Sequence, residues 1–336
     1  MSGYAESILR LPGTAEEKNW LREHLEVLSI AENDTLAATV ERSPPVTMAD
    51  AVNHLLTLDG YDIYNAGSYE ALGEFYLREH SVPQEQQAFF DKSALGQWYE
   101  DEHPGLFIGH HYIAYPKQEL DRPYDGTRLP ADVERLGWSV RLKLASEAVP
   151  DGVWVKLPDY DEMNDETVSD LRLALDELRI GTIYECTLLD AKCVLPCVQD
   201  LAGQYDNLAD LIYDGQNLGA ILDERGQGDP NYLEWFFAAL EFENCHRLDD
   251  AVNIAENLRD YEVVSVDTFV DNITQELSRQ AWAKAGDGVK GCFDYTAYAA
   301  SVAEAQGYCL TDDGQNYIKK RDSPQLEQQR EPTMTM

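Results

Sequence analysis

One segment of this chain, Met48-Ala49-Asp50-Ala51-Val52-Asn53, returns 200 residues later as Leu248-Asp249-Asp250-Ala251-Val252-Asn253. The match continues in phase. Tyr61-Asp62-Ile63 pairs with Tyr261-Glu262-Val263, and Phe90-Asp91-Lys92-Ser93-Ala94-Leu95-Gly96 with Phe293-Asp294-Tyr295-Thr296-Ala297-Tyr298-Ala299. Each copy closes on a Tyr-Ile pair, Tyr112-Ile113 and Tyr317-Ile318, and the offset drifts from 200 to 205 as loop insertions would produce. An ordered series of matches marks a duplication, so the chain is built from a small unit used twice.

Periodicity gives each copy an α+β reading. In the first, Ala51, Val52, Leu55 and Leu56 recur at helical spacing over Ala49 to Leu58, with Thr47 as the cap. Tyr61 to Asn65 is expected as a strand and Tyr69 to Arg78 as a helix that buries Leu72, Phe75, Tyr76 and Leu77. Asp91 to Tyr99 follows as a helix, and Phe107 to Tyr115 as a returning strand. The starts are read as duplicated too. Leu9-Arg10-Leu11-Pro12 and Val155-Lys156-Leu157-Pro158 each read as a short strand stopped by proline, with acidic residues then opening a helix. Trp138 to Leu144 alternates like a strand and pairs with Val153 to Leu157 as a hairpin, while residues 199–242 carry a helical pattern.

The expected architecture is an elongated α+β chain of several small modules with short antiparallel sheets and a helical middle module. Its boundaries are 1–117 for an abridged α+β unit, 118–136 for a linker and 137–198 for an α+β module opening a fuller unit. A helical module at 199–246 and the repeat module at 247–320 follow, and 321–336 reads as a disordered tail.

Charge limits what such modules can do. Sixty-two Asp and Glu stand against 26 Lys and Arg, a formal net charge of −36. The carboxylates interleave with apolar residues rather than forming an acidic tail, and 44% hydrophobic residues suffice for packed cores. A surface of this sign repels nucleic acid and attracts basic grooves. Carboxylates at helical spacing form rows: Glu70/Glu74, Glu162/Glu166/Asp170, Asp206/Asp210/Asp214 and Glu256/Asp260, with Asp159, Asp161, Asp223 and Glu224 beside them. Like charges at that spacing oppose helix formation by a few tenths of a kcal/mol per pair, so stability does not account for them. Duplex DNA carries two phosphates per base pair, so 36 net charges match roughly 18 base pairs. A solvated acidic surface kept for solubility is the plainer reading of the same charge.

No enzyme constellation is present. The chain has no phosphate-cradling glycine loop, dinucleotide fingerprint or nucleophile elbow, and Gly215 and Gly219 read as turn or helix-end residues. Cys186, Cys193 and Cys197, with Cys245 and His246, lack the paired spacing of structural zinc, so buried apolar thiols are expected. His103, His110 and His111 near Asp101 and Glu102 have no counterpart in the second copy. Neither cofactor nor metal is expected. With no secretory or membrane-spanning pattern, the expected location is the cytoplasm of a bacterial host.

Three further segments carry a resemblance: Trp154-Val155-Lys156-Leu157-Pro158 with its acidic sequel, Gln204-Tyr205-Asp206-Asn207-Leu208-Ala209-Asp210-Leu211, and Phe293 to Ala299 with the strand region Gly307 to Ile318. In order and acidity they resemble the ArdA antirestriction proteins of conjugative plasmids and transposons. The resemblance is best over residues 150–320, and 8–115 looks like a shortened second unit. It implies a three-part α+β protein that mimics duplex DNA and blocks the specificity and methyltransferase subunits of type I restriction enzymes. Family members usually dimerise. Here Ala299 stands where the family prefers glycine, and the chain has about twice the typical length. One full and one abridged unit in one chain would make a single-chain pseudo-dimer in place of a homodimer. Another DNA-binding defence system, such as a CRISPR effector, is an alternative target, and an acidic scaffold or chaperone for basic proteins is the alternative class.

Overall fold

The computed structural model describes residues 3–130, 137–159, 169–226, 231–280 and 293–321. Two compact units divide it, Met1–Ala220 and Ile221–Met336, so the boundary falls inside the helical module expected at 199–246. Among the described residues, three antiparallel sheets of three strands each, with helices packed around them, make the fold α+β.

The first unit opens with the helices Gly3–Leu9, Ala15–Leu25, Ile30–Arg42 and Met48–Leu56. The last three begin with reciprocal capping boxes, Thr14/Glu17, Ser29/Glu32 and Thr47/Asp50, in which the N3 carboxylate answers the cap's own N–H. Their inward faces close a core around Ile8, Leu21, Leu36, Met48 and Val52. Leu9 to Pro12 is therefore not a strand: Ala5 and Ile8 are buried at helical spacing, and the chain leaves the helix at Leu9. The proposed linker differs as well. Residues 118–130 hold no helix or strand, yet Tyr124 is buried. Its N–H donates to Asn53 Oδ1 at 2.8 Å, Asn53 Nδ2 donates back to Tyr124 O at 2.8 Å, and its hydroxyl reaches Glu17 Oε1 at 3.0 Å.

The first repeat follows Met48–Leu56 with β1 (Asp62–Tyr64), the helices Tyr69–Glu79 and Lys92–Glu102, then β2 (Gly105–Ile108) and β3 (His111–Ala114). The single strand expected at Phe107 to Tyr115 is thus a hairpin, because Gly109 at φ +56° turns the chain back. The two helices cross in near-backbone contact. A Cβ on Gly96 would lie 1.9 Å from Tyr69 O, and one on Gly73 2.0 Å from Lys92 O.

A second sheet, β4 (Val140–Ala145), β5 (Val153–Leu157) and β6 (Thr187–Cys193), has β4 at its centre. The hairpin of the first two strands was legible in the alternation, whereas β6 was not. Its side chains are mostly exposed, so it shows no clean period of two. The helix Leu208–Ile221 lies on this sheet through two glycines. A Cβ on Gly215 would meet Leu157 at 2.7 Å and one on Gly219 would meet Pro158 at 2.3 Å. These are helix-interior contact points, not turns or helix ends.

The second unit carries the repeat. After the helix Tyr232–Phe242 come Leu248–Glu256, β7 (Tyr261–Ser265), the helices Val266–Gln280 and Tyr295–Ala305, β8 (Cys309–Leu310) and β9 (Asn316–Lys320). Both copies order their strands first–third–second, and a 3-10 turn precedes the first strand of each. The pairing agrees to the residue: Ile63 faces Ile113 as Val263 faces Ile318, and Tyr64 faces Tyr112 as Val264 faces Tyr317. Asp91 accepts from Ala94 N at 3.0 Å and Asp294 from Ala297 N at 2.9 Å, so even the helix caps are repeated.

Candidate functional site

Inside the first unit a group of charges joins the helical layer to the second sheet. Arg141, on β4, is 4% exposed; its Nη1 donates to Glu32 Oε2 at 2.6 Å and its Nη2 to Glu32 Oε1 at 2.8 Å. The same Nη1 also reaches Val27 O at 2.8 Å. Lys156, on β5, holds Asp59 at 2.8 Å and lies 3.8 Å from Glu32. Burial alone would raise Glu32, but Arg141 and Lys156 hold its carboxyl down at about 2. Burial raises Asp170 to about 7, and Glu32 and Asp159 push the same way against Lys156.

Asp159 and Asp170 therefore leave the docking surface to which the sequence assigned them. Asp159 is 6% exposed, and its Oδ2 accepts from Ser169 Oγ at 2.7 Å and Leu171 N at 2.9 Å, closing the start of the helix Asp170–Leu178. Asp170 is 7% exposed, and its Oδ1 accepts no hydrogen bond among the described residues. A carboxyl whose pKa is raised by folding adds stability below its unfolded pKa of about 4 and loses it as pH rises to 7. Asp170→Asn should thus unfold at higher urea than the parent at pH 8, by roughly 2 kcal/mol or more, with the gap closing by pH 4. Equal gaps at both pH values would contradict this.

The other predicted carboxylates divide by exposure. Asp161, Glu162 and Glu166 lie outside the described residues. Glu70 is exposed, and Glu74 is half-buried against Lys92 Nζ at 2.5 Å. On Leu208–Ile221 the two glycines, Leu211 and Leu218 face the sheet, which turns Asp210 and the 67% exposed Tyr213 to solvent. Asp206 is exposed but stands before the helix, because Asn207 is the cap: its Oδ1 accepts from Asp210 N at 2.9 Å. Asp214 is half-buried and accepts from Tyr205 Oη at 2.7 Å. In the second unit Asp223 is half-buried and Glu224 exposed on the turn Leu222–Gly226. Glu256 and Asp260 are exposed but not on one helix, since Glu256 ends Leu248–Glu256 and Asp260 sits in the following 3-10 turn. An exposed pair with the spacing of one helical turn, Asp267/Asp271 on Val266–Gln280, escaped the sequence reading although its i,i+4 signal is plain.

Apart from Lys92 on Glu74, several cations pair with carboxylates outside this set. Arg141 and Lys156 are internal, while Arg122 holds Asp50, Lys319 holds Glu262 at 3.4 Å and Lys320 holds Glu243 at 2.7 Å. Among the described residues, Glu70, Asp206, Asp210, Glu224, Glu256 and Asp260 make no ion pair with Lys or Arg.

Cys245 is buried as expected, whereas Cys186, Cys193 and Cys197 are only half-buried. His111 is buried with its Nδ1 2.6 Å from Asp34 Oδ2, and His103 stacks on Tyr99 with ring centroids 4.5 Å apart. His110 is exposed in the β2–β3 turn. Among the described residues no group of three His, Cys, Asp or Glu side chains could hold a metal ion. A groove of about 400 Å³ beside Arg42, His54, Tyr61 and Arg122 engages its polar groups internally, with Arg122 on Asp50 and His54 Nε2 on Ser43 O at 2.8 Å. No helix among the described residues is long and apolar enough to cross a membrane. No protein-family model, curated protein or solved structure matches this chain.

Proposed function

We propose that this chain is a non-enzymatic DNA mimic of the antirestriction class, which occupies the DNA-binding groove of a type I restriction-modification enzyme in the bacterial cytoplasm. The observation that carries this reading is the partition of charge. Arg141, Lys156, Lys319 and Lys320 pair with other carboxylates, while among the described residues Glu70, Asp206, Asp210, Glu224, Glu256 and Asp260 make no ion pair with Lys or Arg. Such a surface offers a basic groove what a phosphate backbone offers, and binding would release the groove's counterions. The family-like order of segments supports the same reading.

The test is competition. Purified chain should displace duplex DNA from a type I methyltransferase in a gel-shift assay, with an affinity that falls steeply with salt. The triple variant Asp206→Asn, Asp210→Asn, Asp214→Asn should lose inhibition about tenfold or more and flatten the salt slope by up to about three charges. Unchanged inhibition by a folded variant would refute the role given to these three carboxylates. A ternary complex in which DNA stays bound would favour an acidic scaffold.

A further inference from the structure

We propose that the aromatic stripe along the helix Lys92–Glu102 is an apolar anchor that seats a basic protein partner; this rests on the DNA-mimic reading. Phe89 is 89% exposed, Phe90 47% and Trp98 46%. Asp91 caps the helix, which places Phe90 just before the cap and Leu95 in the first turn and a half, where the two can staple. Trp98 follows Leu95 by three residues and so shares its face. Its ring meets Tyr76 edge-on at 5.3 Å, and Tyr76 stacks on His80 at 4.0 Å, so the stripe continues onto the neighbouring helix.

The module does not need this stripe. The second copy builds the same helix and keeps the staple, with Phe293 and Tyr298 at 5.4 Å, but has exposed Ser301 where the first has Trp98. Two copies with one fold thus differ at a solvent-facing tryptophan. Charge selects the occupant. Glu85, Asp91, Asp101 and Glu102 are exposed around the stripe, so a second acidic copy of this chain is repelled and a partner with a basic rim is drawn in. The partner's surface must then combine basic residues with an apolar pocket. Aromatic side chains in such pockets dominate interface energetics and, unlike phosphate-like contacts, hold in salt.

The probe is a purified type I restriction methyltransferase, titrated by fluorescence anisotropy against labelled full-length chain at several salt concentrations. Trp98→Ser, which copies the second repeat, and Phe89→Ala should each weaken binding about tenfold or more while leaving the slope of log Kd on log salt unchanged. Circular dichroism melting would show that both variants stay folded. Parent-like Kd values for both variants would overturn the anchor and leave the mimic reading standing. No binding by the parent chain would overturn the mimic reading and the anchor with it. A changed slope with little loss at high salt would assign the stripe to the electrostatic surface and overturn its apolar role.

Discussion

Arg141→Ala is expected to cost the first unit about 3–5 kcal/mol, read as a fall in its urea midpoint at pH 7. The guanidinium is bidentate to Glu32 and also satisfies Val27 O, with all three groups out of water. Removing it strands a carboxylate that the Ser29 N–H, at 2.9 Å, and Lys156, 3.8 Å away, can only partly compensate. Replacing both partners, Arg141→Met with Glu32→Gln, should recover most of the loss, because no buried charge is then left unpaired. The pair also implies an acid limb. Glu32 titrates at about 2 in the fold and near 4.5 free, so its contribution is full above pH 4.5 and lost as pH falls through 2. A double variant as unstable as Arg141→Ala alone would show that packing, not charge, dominates here.

Gly96→Ala should be nearly as damaging although it adds one methyl group. Its Cβ would sit 1.9 Å from Tyr69 O and 2.7 Å from Tyr69 C, both backbone atoms that cannot rotate aside. The helices Tyr69–Glu79 and Lys92–Glu102 would have to separate by more than an ångström. That exposes Leu72, Phe75 and Tyr99 of the module's core at a cost near or above the roughly 3 kcal/mol at the upper end of overpacking. Gly73→Ala meets Lys92 O at 2.0 Å and should behave alike. The second copy already has Ala299 at the place of Gly96, fully buried, so its helices must pack differently. Ala299→Gly is accordingly expected to lose only about 0.5–1 kcal/mol. Hydrogen exchange should localise the Gly96→Ala effect to residues 62–114; a melt within about 0.5 kcal/mol of the parent would refute the close crossing.

How far the sequence reached follows from what each element displays. The repeat was legible because the copies keep the same inward positions: Ala51 and Val52 against Ala251 and Val252, Ile113 against Ile318. Helices with an apolar stripe and a capping residue, such as Met48–Leu56 behind Thr47, follow from local chemistry. What escaped depends on partners distant in sequence. Arg141 in a strand and Glu32 in a first helical turn carry no local sign that they meet 109 residues apart. For the same reason Asp159 and Asp170 looked like surface acids: spacing can place a carboxylate on a helix face but cannot say which face another layer covers. Gly215 and Gly219 misled in the opposite sense, since the sheet beneath them is built from Val140, Leu157 and Pro158 far upstream.

In both repeats the middle strand of the sheet is the last one made: β3 lies between β1 and β2, and β9 between β7 and β8. A ribosome delivers residues in order, so for most of each module's synthesis its first strand, β1 or β7, exists with no hydrogen-bonding neighbour, while β2 and β8 precede the middle strand by only a few residues. Neither sheet can close until His111–Ala114 or Asn316–Lys320 has cleared the exit tunnel. Each module is thus completed in one late step, and a nascent chain halted just before that strand holds two open edges facing an empty slot.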